Sequence, residues 1–185
     1  MPAPTQPDEA IVAAVIHGDI DAYAAIMARY EQKLERYVLY LVHDTATARD
    51  IVQETFIRAY QNLRSYNPKY KFSSWLYRIA HNQAMNAIKK ERHTVAVESD
   101  TFPDTAYDAR IDELVDAKIL HQRVQQCLGR LAPKYREVVQ LIYFENMKYE
   151  DASDVLRVPV STVGVRLSRA KVQLLKICKQ IGVKR

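Results

Sequence analysis

The chain contains little glycine or cysteine and no long apolar run. Its 185 residues include four Gly and two Cys, and neither Cys lies in a CxxC motif or a histidine cluster. Few glycines indicate few turns and much helix, and two lone thiols are typical of a reducing cytosol. No run spans a bilayer, and residues 1–10 do not resemble a signal peptide. We expect a cytoplasmic protein without metal, cofactor or direct membrane insertion.

Acidic residues are absent from the C-terminal end, where Val155 to Arg185 contain eight Lys or Arg and no Asp or Glu. Residues 1–92 hold 12 basic and ten acidic side chains, residues 93–115 hold one and six, and residues 116–185 hold 14 and six. This alternation favours nucleic acid as the partner of two units. We predict an all-α fold of two small helical domains, residues 8–92 and 116–185, joined by a flexible acidic linker, residues 93–115.

The residue patterns of common enzymes are missing as well. The sequence has no nucleophile–base pair, no Gly-rich phosphate loop and no metal-ligand spacing. None of its five histidines has nearby residues in the sequence that would support acid–base catalysis. We therefore predict no catalytic residue and no small-molecule substrate, and a helical hydrolase is the weaker alternative.

A helix-turn-helix is predicted near the C-terminus. The first helix runs from about Tyr149 to Leu156, Pro159 prevents its continuation, and Ser161 or Thr162 is expected to cap the second helix. That helix has an apolar stripe at 4-3-4-3 spacing, formed by Val163, Leu167, Ala170, Leu174 and Ile177.

The other side of this helix is polar and basic, as expected of a helix that enters the major groove of DNA. The alternative is a solvated amphipathic helix with a basic tail. The candidate duplex-binding residues are Pro159, Ser161, Thr162, Val165, Arg166, Ser168, Arg169 and Lys171.

A helix from Ala48 to about Leu63, capped by Asp44, Thr45 or Thr47, is predicted in the N-terminal half. Its buried stripe is Val52, Phe56, Ala59 and Leu63, and its outer side at the N-terminal end carries Asp50, Gln53 and Glu54. These residues either compensate the helix dipole or form a docking surface for a basic partner.

A loop rich in aromatic residues and lysine follows, and Ser73 or Ser74 is expected to cap a helix from Trp75 to about Arg92. Rings that stack on bases, cations that hold phosphates and amides that read base edges suit single-stranded nucleic acid. The alternative is an aromatic core corner with surface lysines, to which we assign Tyr77. The candidates are Tyr66, Lys69, Lys71, Phe72, Ser74, Trp75, Arg78, Asn82 and Asn86.

Two sets of motifs resemble the sigma factors of bacterial RNA polymerase, and most closely their extracytoplasmic-function group. The runs DIVQETFIRAY (50–60) and FSSWLYRIAHN (72–82) are similar to the N-terminal domain of that family. The C-terminal resemblance rests on LAP (131–133), YFE (143–145), YED (149–151), VPVSTV (158–163) and RLSRAK (166–171).

The resemblance implies the partners. The helix with Asp50, Gln53, Glu54 and Arg58 would bind the clamp coiled coil of the large subunit of core RNA polymerase. Residues 66–89 would capture the melted non-template strand of the −10 element, and the helix from Ser161 would read the −35 duplex. The linker would pass through the polymerase's basic channel, and an anti-sigma factor is a common further partner.

The C-terminal motif departs from the family pattern at three places. Ala152-Ser153 replaces a bulky apolar residue and Ala, Arg157 replaces the usual turn Gly, and Gly164-Val165 replaces a polar pair with a basic first member. A transcriptional regulator that uses the helix-turn-helix without binding core polymerase is the alternative, but it leaves Asp50 to Asn82 unexplained.

Overall fold

The computed structural model describes residues 6–94, 124 and 126–181, and over these residues all regular structure is helical. The chain divides into two compact units, Met1–Asp100 with Asp154–Arg157, and Thr101–Ser153 with Val158–Arg185. The predicted all-α fold is confirmed. Of the predicted linker, residues 93 and 94 continue a helix, and the rest lies outside the described residues.

The first unit is built around three long helices. They are α2 (Tyr23–Val42), α3 (Thr45–Gln61) and α4 (Phe72–Thr94), preceded by the short helix α1 (Asp8–Ile16). The long helices pack pairwise on one another, and α1 lies against α2 and α4. The α2 core side chains recur every three or four residues and are buried: Ile26, Tyr30, Leu34, Tyr37 and Leu41.

The breaks between the first helices have local causes. Gly18 adopts a φ of 111°, a conformation that glycine takes without steric cost. The carboxylate of Asp44 accepts a hydrogen bond of 2.7 Å from the backbone N–H of Thr47, so Asp44 is the cap of α3 among the three candidates. Hydrogen bonds from Thr47 hold the pKa of Asp44 below its ordinary value.

The start of α4 differs from the prediction. The helix begins at Phe72, so Ser73 and Ser74 lie inside its first turn and do not precede it. The backbone N–H of Phe72 donates instead to Oε1 of Glu9, at 3.4 Å, from the first turn of α1. Glu9, from a distant segment, thus accepts a hydrogen bond at the N-terminal end of α4, where backbone N–H groups have no partner within the helix.

The described residues from 133 onwards form α5 (Pro133–Val139), which continues as a π-helical segment (Gln140–Phe144), α6 (Tyr149–Leu156) and α7 (Val160–Gln180). The residue pattern also predicts a helix from Leu114 to Leu131. Residues 124 and 126–129 are helical, residues 130 and 131 form a turn and a bend, and the rest of this range lies outside the described residues. Helix α5 packs against α7. The buried Arg136 donates to the carbonyl oxygens of Gly129 and Leu131, which closes the turn before α5.

The two cysteines are not free thiols. Cys127 and Cys178 are joined in a disulfide with their Cα atoms 5.6 Å apart, although 51 residues separate them in sequence. The prediction of two lone thiols was wrong because helix packing, which residue spacing does not reveal, brings the pair within bonding distance. Over the described ranges, each helix is too short or too polar to cross a lipid bilayer.

Candidate nucleic-acid interface

The turn between α6 and α7 is held by one side chain and one strained residue. The hydroxyl of Ser153 donates to the carbonyl oxygen of Val158 at 2.6 Å, and the Val158 N–H returns to the Ser153 carbonyl at 3.3 Å. Arg157 adopts a φ of 53°, the left-handed conformation that the usual glycine would take freely. The chain therefore makes the predicted turn at a steric cost.

Helix α7 begins at Val160, two or three residues earlier than a cap at Ser161 or Thr162 would place it. Pro159 is its cap residue, with a ψ of 146°, and no side chain caps the helix. The Pro159 carbonyl accepts from the N–H groups of Thr162 and Val163, at 2.8 and 3.2 Å. The prediction of Ser161 or Thr162 as cap was wrong, because the proline carbonyl already starts the helical hydrogen bonds and places both residues within the first turn.

One side of α7 is buried and the opposite side faces solvent. Val163 and Ala170 are fully buried, and Leu167 is 2% exposed. Thr162 and Arg166 lie half-buried on the border between the two sides. The exposed members of the predicted duplex-binding set are Pro159, Ser161, Val165, Ser168, Arg169 and Lys171. The exposed side, which we call the α7 face, has the composition of a surface that contacts base edges and phosphates.

Two residues outside the predicted duplex-binding set lie beside the basic residues of α7. Glu137 of α5 is buried, which raises the pKa of its carboxyl, and the nearby charges of Arg166 and Arg136 act in the opposite direction. A hydrogen bond with Tyr143 raises the pKa of Lys171, whose Nζ lies 5.7 Å from the centre of the Tyr143 ring. The sequence alone does not indicate either neighbour of α7, since Glu137 belongs to α5 and Tyr143 to its π-helical continuation.

The aromatic residues of the N-terminal site form a packed cluster. The rings of Tyr66, Phe72 and Trp75 lie 5.5–5.6 Å apart, centre to centre. Their exposed fractions are 8%, 0% and 9%. Burial raises the pKa of Tyr66 to about 12. We call these three rings the aromatic cluster.

We predicted Trp75 to contact unpaired bases, but the structure buries it in the aromatic cluster, as the alternative of an aromatic core corner predicts. Because α4 begins at Phe72, Trp75 is one turn further along the same edge of the helix and meets the ring of Tyr66 from the preceding loop. Ser74 is also buried, at 1% exposure. Tyr77 is 2% exposed, as the core interpretation predicted.

The polar candidates of this site lie outside the cluster. Lys69, Lys71, Asn82 and Asn86 are exposed, and Arg78 is half-buried. The loop aromatic residue that faces solvent is Tyr70, with 56% of its surface exposed, and it was not among the predicted site residues. The backbone carbonyl of Tyr70 accepts a 2.5 Å hydrogen bond from the Tyr66 hydroxyl. This bond joins the loop backbone that carries the Tyr70 ring to the aromatic cluster.

The outer side of α3 carries the predicted docking residues. Asp50, Gln53 and Arg58 are exposed and Glu54 is half-buried. Oε1 of Glu54 lies 2.5 Å from Nε of Arg58. Ile57, with 52% of its surface exposed, falls seven residues after Asp50 and so joins this side. We call these five residues the α3 face. Sequence reasoning missed Ile57, although its three-residue spacing from Glu54 was a visible signal.

Comparison with known families covers both units. The Sigma-70 region 2 family matches residues 26–94, and the Sigma-70 region 4 family matches residues 121–174. The chain is 34% identical over 168 residues to the ECF RNA polymerase sigma factor SigW of Bacillus subtilis, an alignment that covers 86% of this chain and 90% of SigW. The chain belongs to the extracytoplasmic-function group of sigma-70 factors. This sigma factor is also 30% identical to the RNA polymerase sigma-H factor of Pseudomonas aeruginosa, over 89% of its length and 90% of that protein.

Solved structures show the same fold. The sigma factor superimposes on CnrH, solved in complex with the cytosolic domain of CnrY, with a TM-score of 0.71 and 25% identity over 94% of this chain and 97% of CnrH. It superimposes on the sigma factor RpoE of Bartonella quintana, solved with the anti-sigma factor NepR, with a TM-score of 0.70 over 88% of this chain and 98% of RpoE. The identity to RpoE is 22%.

Family membership establishes what the protein does. It is a DNA-binding transcription initiation factor that directs RNA polymerase to promoters. Within the part of the chain that the structure describes, no group of three or more His, Cys, Asp and Glu side chains is placed to hold a metal ion.

Proposed function

We propose that the α7 face reads the −35 element in the major groove of duplex DNA. The observation that carries this proposal is the division of α7: Val163, Leu167 and Ala170 are buried while Val165 and Arg169 face solvent. Val165 offers a methyl contact to thymine, and Arg169 offers a bidentate contact to guanine. The exposed hydroxyls and Lys171 supply contacts to phosphates, which position the helix without reading sequence.

The −10 element is held by the exposed polar residues around the aromatic cluster. In this proposal Lys69, Lys71 and Arg78 bind phosphates of the melted non-template strand, and Asn82 and Asn86 meet its bases. The ring available for stacking on a base is Tyr70, since it is exposed. The aromatic cluster supports the loop from beneath and takes part in base contacts only if the loop moves.

The α3 face docks on the clamp coiled coil of the polymerase's large subunit. Its acidic and amide side chains, Asp50, Gln53 and Glu54, suit a basic partner surface. Ile57 adds an exposed apolar side chain between them, and interfaces gain most of their affinity from such buried anchors. Arg58 pairs with Glu54 and holds its carboxylate in position on the face.

The wider assignment follows from these three surfaces. Residues 8–92 would bind core polymerase and the −10 strand, residues 116–185 would bind the −35 duplex, and residues 93–115 would connect them. The protein would catalyse no bond change itself and would act in the cytoplasm, where its polymerase partner is. The complex of CnrH with a cytosolic domain of a second protein supports an anti-sigma factor as a further partner.

In vitro transcription with purified core polymerase and a promoter library, read by sequencing the RNA 5′ ends, tests the proposal. We expect transcripts from promoters that share one −35 and one −10 sequence. Arg169→Ala should relax the preference at one or two −35 positions, and Lys179→Ala is the control on the same helix. If the Arg169→Ala protein keeps the wild-type −35 preference, the assignment of the α7 face fails.

Binding to core polymerase in the absence of promoter DNA separates the sigma factor from a regulator that needs only its helix-turn-helix. We expect stable binding of the wild-type chain and weaker binding when Asp50 and Glu54 are both changed to Lys. Equal binding of this variant and the wild type would remove the α3 face from the interface.

A further inference from the structure

The disulfide between Cys127 and Cys178 joins two segments that are distant in sequence. Cys127 lies in the helical turn 126–129, and Cys178 lies in the last turn of α7. Cys127 is 1% exposed, whereas Cys178 is half-buried. One sulfur of the bond is therefore shielded, and the other lies near solvent.

The end of α7 to which Cys178 belongs has few other attachments. Val163, Leu167 and Ala170 bury the N-terminal half of the helix, but none of residues 171–181 is buried. Val172 and Leu175 are 53% and 54% exposed. Leu174 and Ile177, which we predicted to continue the buried stripe, are half-buried. The disulfide thus fastens a stretch of helix that apolar packing holds only weakly.

We propose that Cys127 and Cys178 form a thiol–disulfide exchange site for low-molecular-weight thiols and disulfides, and that the bonded form stabilises the DNA-binding unit. A cross-link between residues 51 apart limits the conformations of the unfolded chain. It also stops the end of α7 from fraying. The bond lies in the unit that carries the α7 face. Residues 1–100, which belong to the first unit, contain no cysteine.

The exchange steps balance without a further reagent. The thiolate of a small thiol such as glutathione attacks Sγ of Cys178, and Cys127 leaves as a thiolate and takes up a proton. A second thiolate attacks the small thiol's sulfur in the mixed disulfide, which releases the Cys178 thiol and the oxidised small disulfide. The reverse sequence, with glutathione disulfide as the oxidant, restores the protein bond and yields two molecules of glutathione.

The accessibility of Cys178 favours attack at this sulfur, since Cys127 is buried. Lys176 and Lys179 lie two residues before Cys178 and one residue after it. Their positive charge stabilises the Cys178 thiolate that leaves in the second step. Cys178 is nine residues beyond Arg169, a rise of about 13 Å along the helix. The site therefore influences DNA binding through the stability of α7, and no cysteine contact with DNA is required.

Equilibration of the full-length chain with mixtures of reduced and oxidised glutathione tests the proposal. After alkylation of free thiols, mass spectrometry reports the fraction of protein with the Cys127–Cys178 bond. We expect this fraction to change reversibly across the series. A chain that stays unbonded in oxidised glutathione, or bonded in excess reduced glutathione, overturns the exchange site.

The stabilising effect is measured on the same samples. We expect the bond to raise the melting temperature of the second unit by about 10 °C. It should also slow amide hydrogen exchange in residues 171–181, while peptides from residues 6–94 serve as the internal control. The Cys178→Ala and Cys178→Ser variants should have the melting temperature and amide exchange rates of the reduced wild type, and neither quantity should depend on the glutathione ratio. Equal melting temperatures and exchange rates for the bonded and reduced chains would show that the disulfide does not stabilise the unit. Neither measurement depends on promoter recognition, so this outcome is distinct from a failure of the proposed function.

Discussion

Nδ1 of His81 lies 2.9 Å from the phenol oxygen of Tyr37, across 44 residues of sequence, within the core of the first unit. His81 is 8% exposed, and Tyr37 is fully buried. Because burial disfavours the charged imidazolium, the pKa of His81 falls from 6.5 to about 4. The contact joins α2 to α4, the helix that carries the proposed −10 residues, so the protonation state of His81 bears on the stability of this unit.

The first unit should lose stability in mild acid. The folded pKa of His81 is about 4 and its ordinary value is 6.5, so the neutral form's contribution is complete above pH 6.5 and is lost as the pH falls towards 4. The loss amounts to about 3 kcal/mol in the free energy of unfolding. Urea titrations at pH 7 and pH 4, followed by fluorescence of the single Trp, measure it.

The His81→Gln variant should lose this part of the pH dependence, because its side chain does not titrate. His17→Gln, at an exposed position, is the matched control and should keep the wild-type pH profile. A His81→Gln profile identical to that of the wild type would contradict the assignment.

Arg169→Ala should weaken binding to −35 duplex DNA by about 1–3 kcal/mol if the guanidinium contacts a base. Fluorescence anisotropy with a labelled duplex at fixed salt measures the dissociation constant. Lys179→Ala, also exposed on α7, should change it by much less. Affinity losses of equal size in both variants would mean that only net charge matters.

Trp75→Ala should destabilise the first unit by about 3–5 kcal/mol, because it removes a ring from the aromatic cluster. Circular dichroism during chemical denaturation measures the change. Tyr70→Ala is the matched variant: its ring is exposed, so we expect unchanged stability but slower opening of the −10 region. A Trp75→Ala protein as stable as the wild type would place this ring outside the core.

Ile57→Ala should weaken binding to core polymerase about tenfold while leaving stability unchanged, because the side chain is 52% exposed and its loss matters only when a partner covers it. Titration of labelled core enzyme measures the affinity. Ile20→Ala, at an isoleucine that is 61% exposed, is the control and should bind like the wild type. Unchanged binding of Ile57→Ala would exclude this residue from the interface.

Arg157→Gly should stabilise the helix-turn-helix by about 1 kcal/mol, because glycine adopts the observed φ of 53° without strain. The melting temperature reports the gain. Arg157→Ala removes the same charge but keeps the Cβ atom, so it should show no such gain. Equal effects of the two substitutions would assign the change to charge and not to the backbone.

Local patterns predicted the helices well. The first helix of the helix-turn-helix occupies Tyr149–Leu156 as predicted, Asp44 caps α3, and the predicted apolar stripe of α3 is buried. These features depend on spacing within one turn or on a side chain three residues from its partner. The motifs of both units, also read along the chain, led to the correct family.

The errors concern contacts between residues distant in sequence. Glu9 meets the start of α4 from a separate helix, and Trp75 packs on a ring from the preceding loop. Neither contact has a periodic signal, because each requires a particular packing of helices.

Periodicity, charge and motif order are properties of the linear chain, and they were enough to predict the helices, the basic C-terminal end and the family. The burial of Trp75, the exposure of Tyr70 and Ile57, and the bond between Cys127 and Cys178 became visible in the folded protein alone. Burial and proximity depend on how helices pack, and packing joins residues that local spacing does not relate.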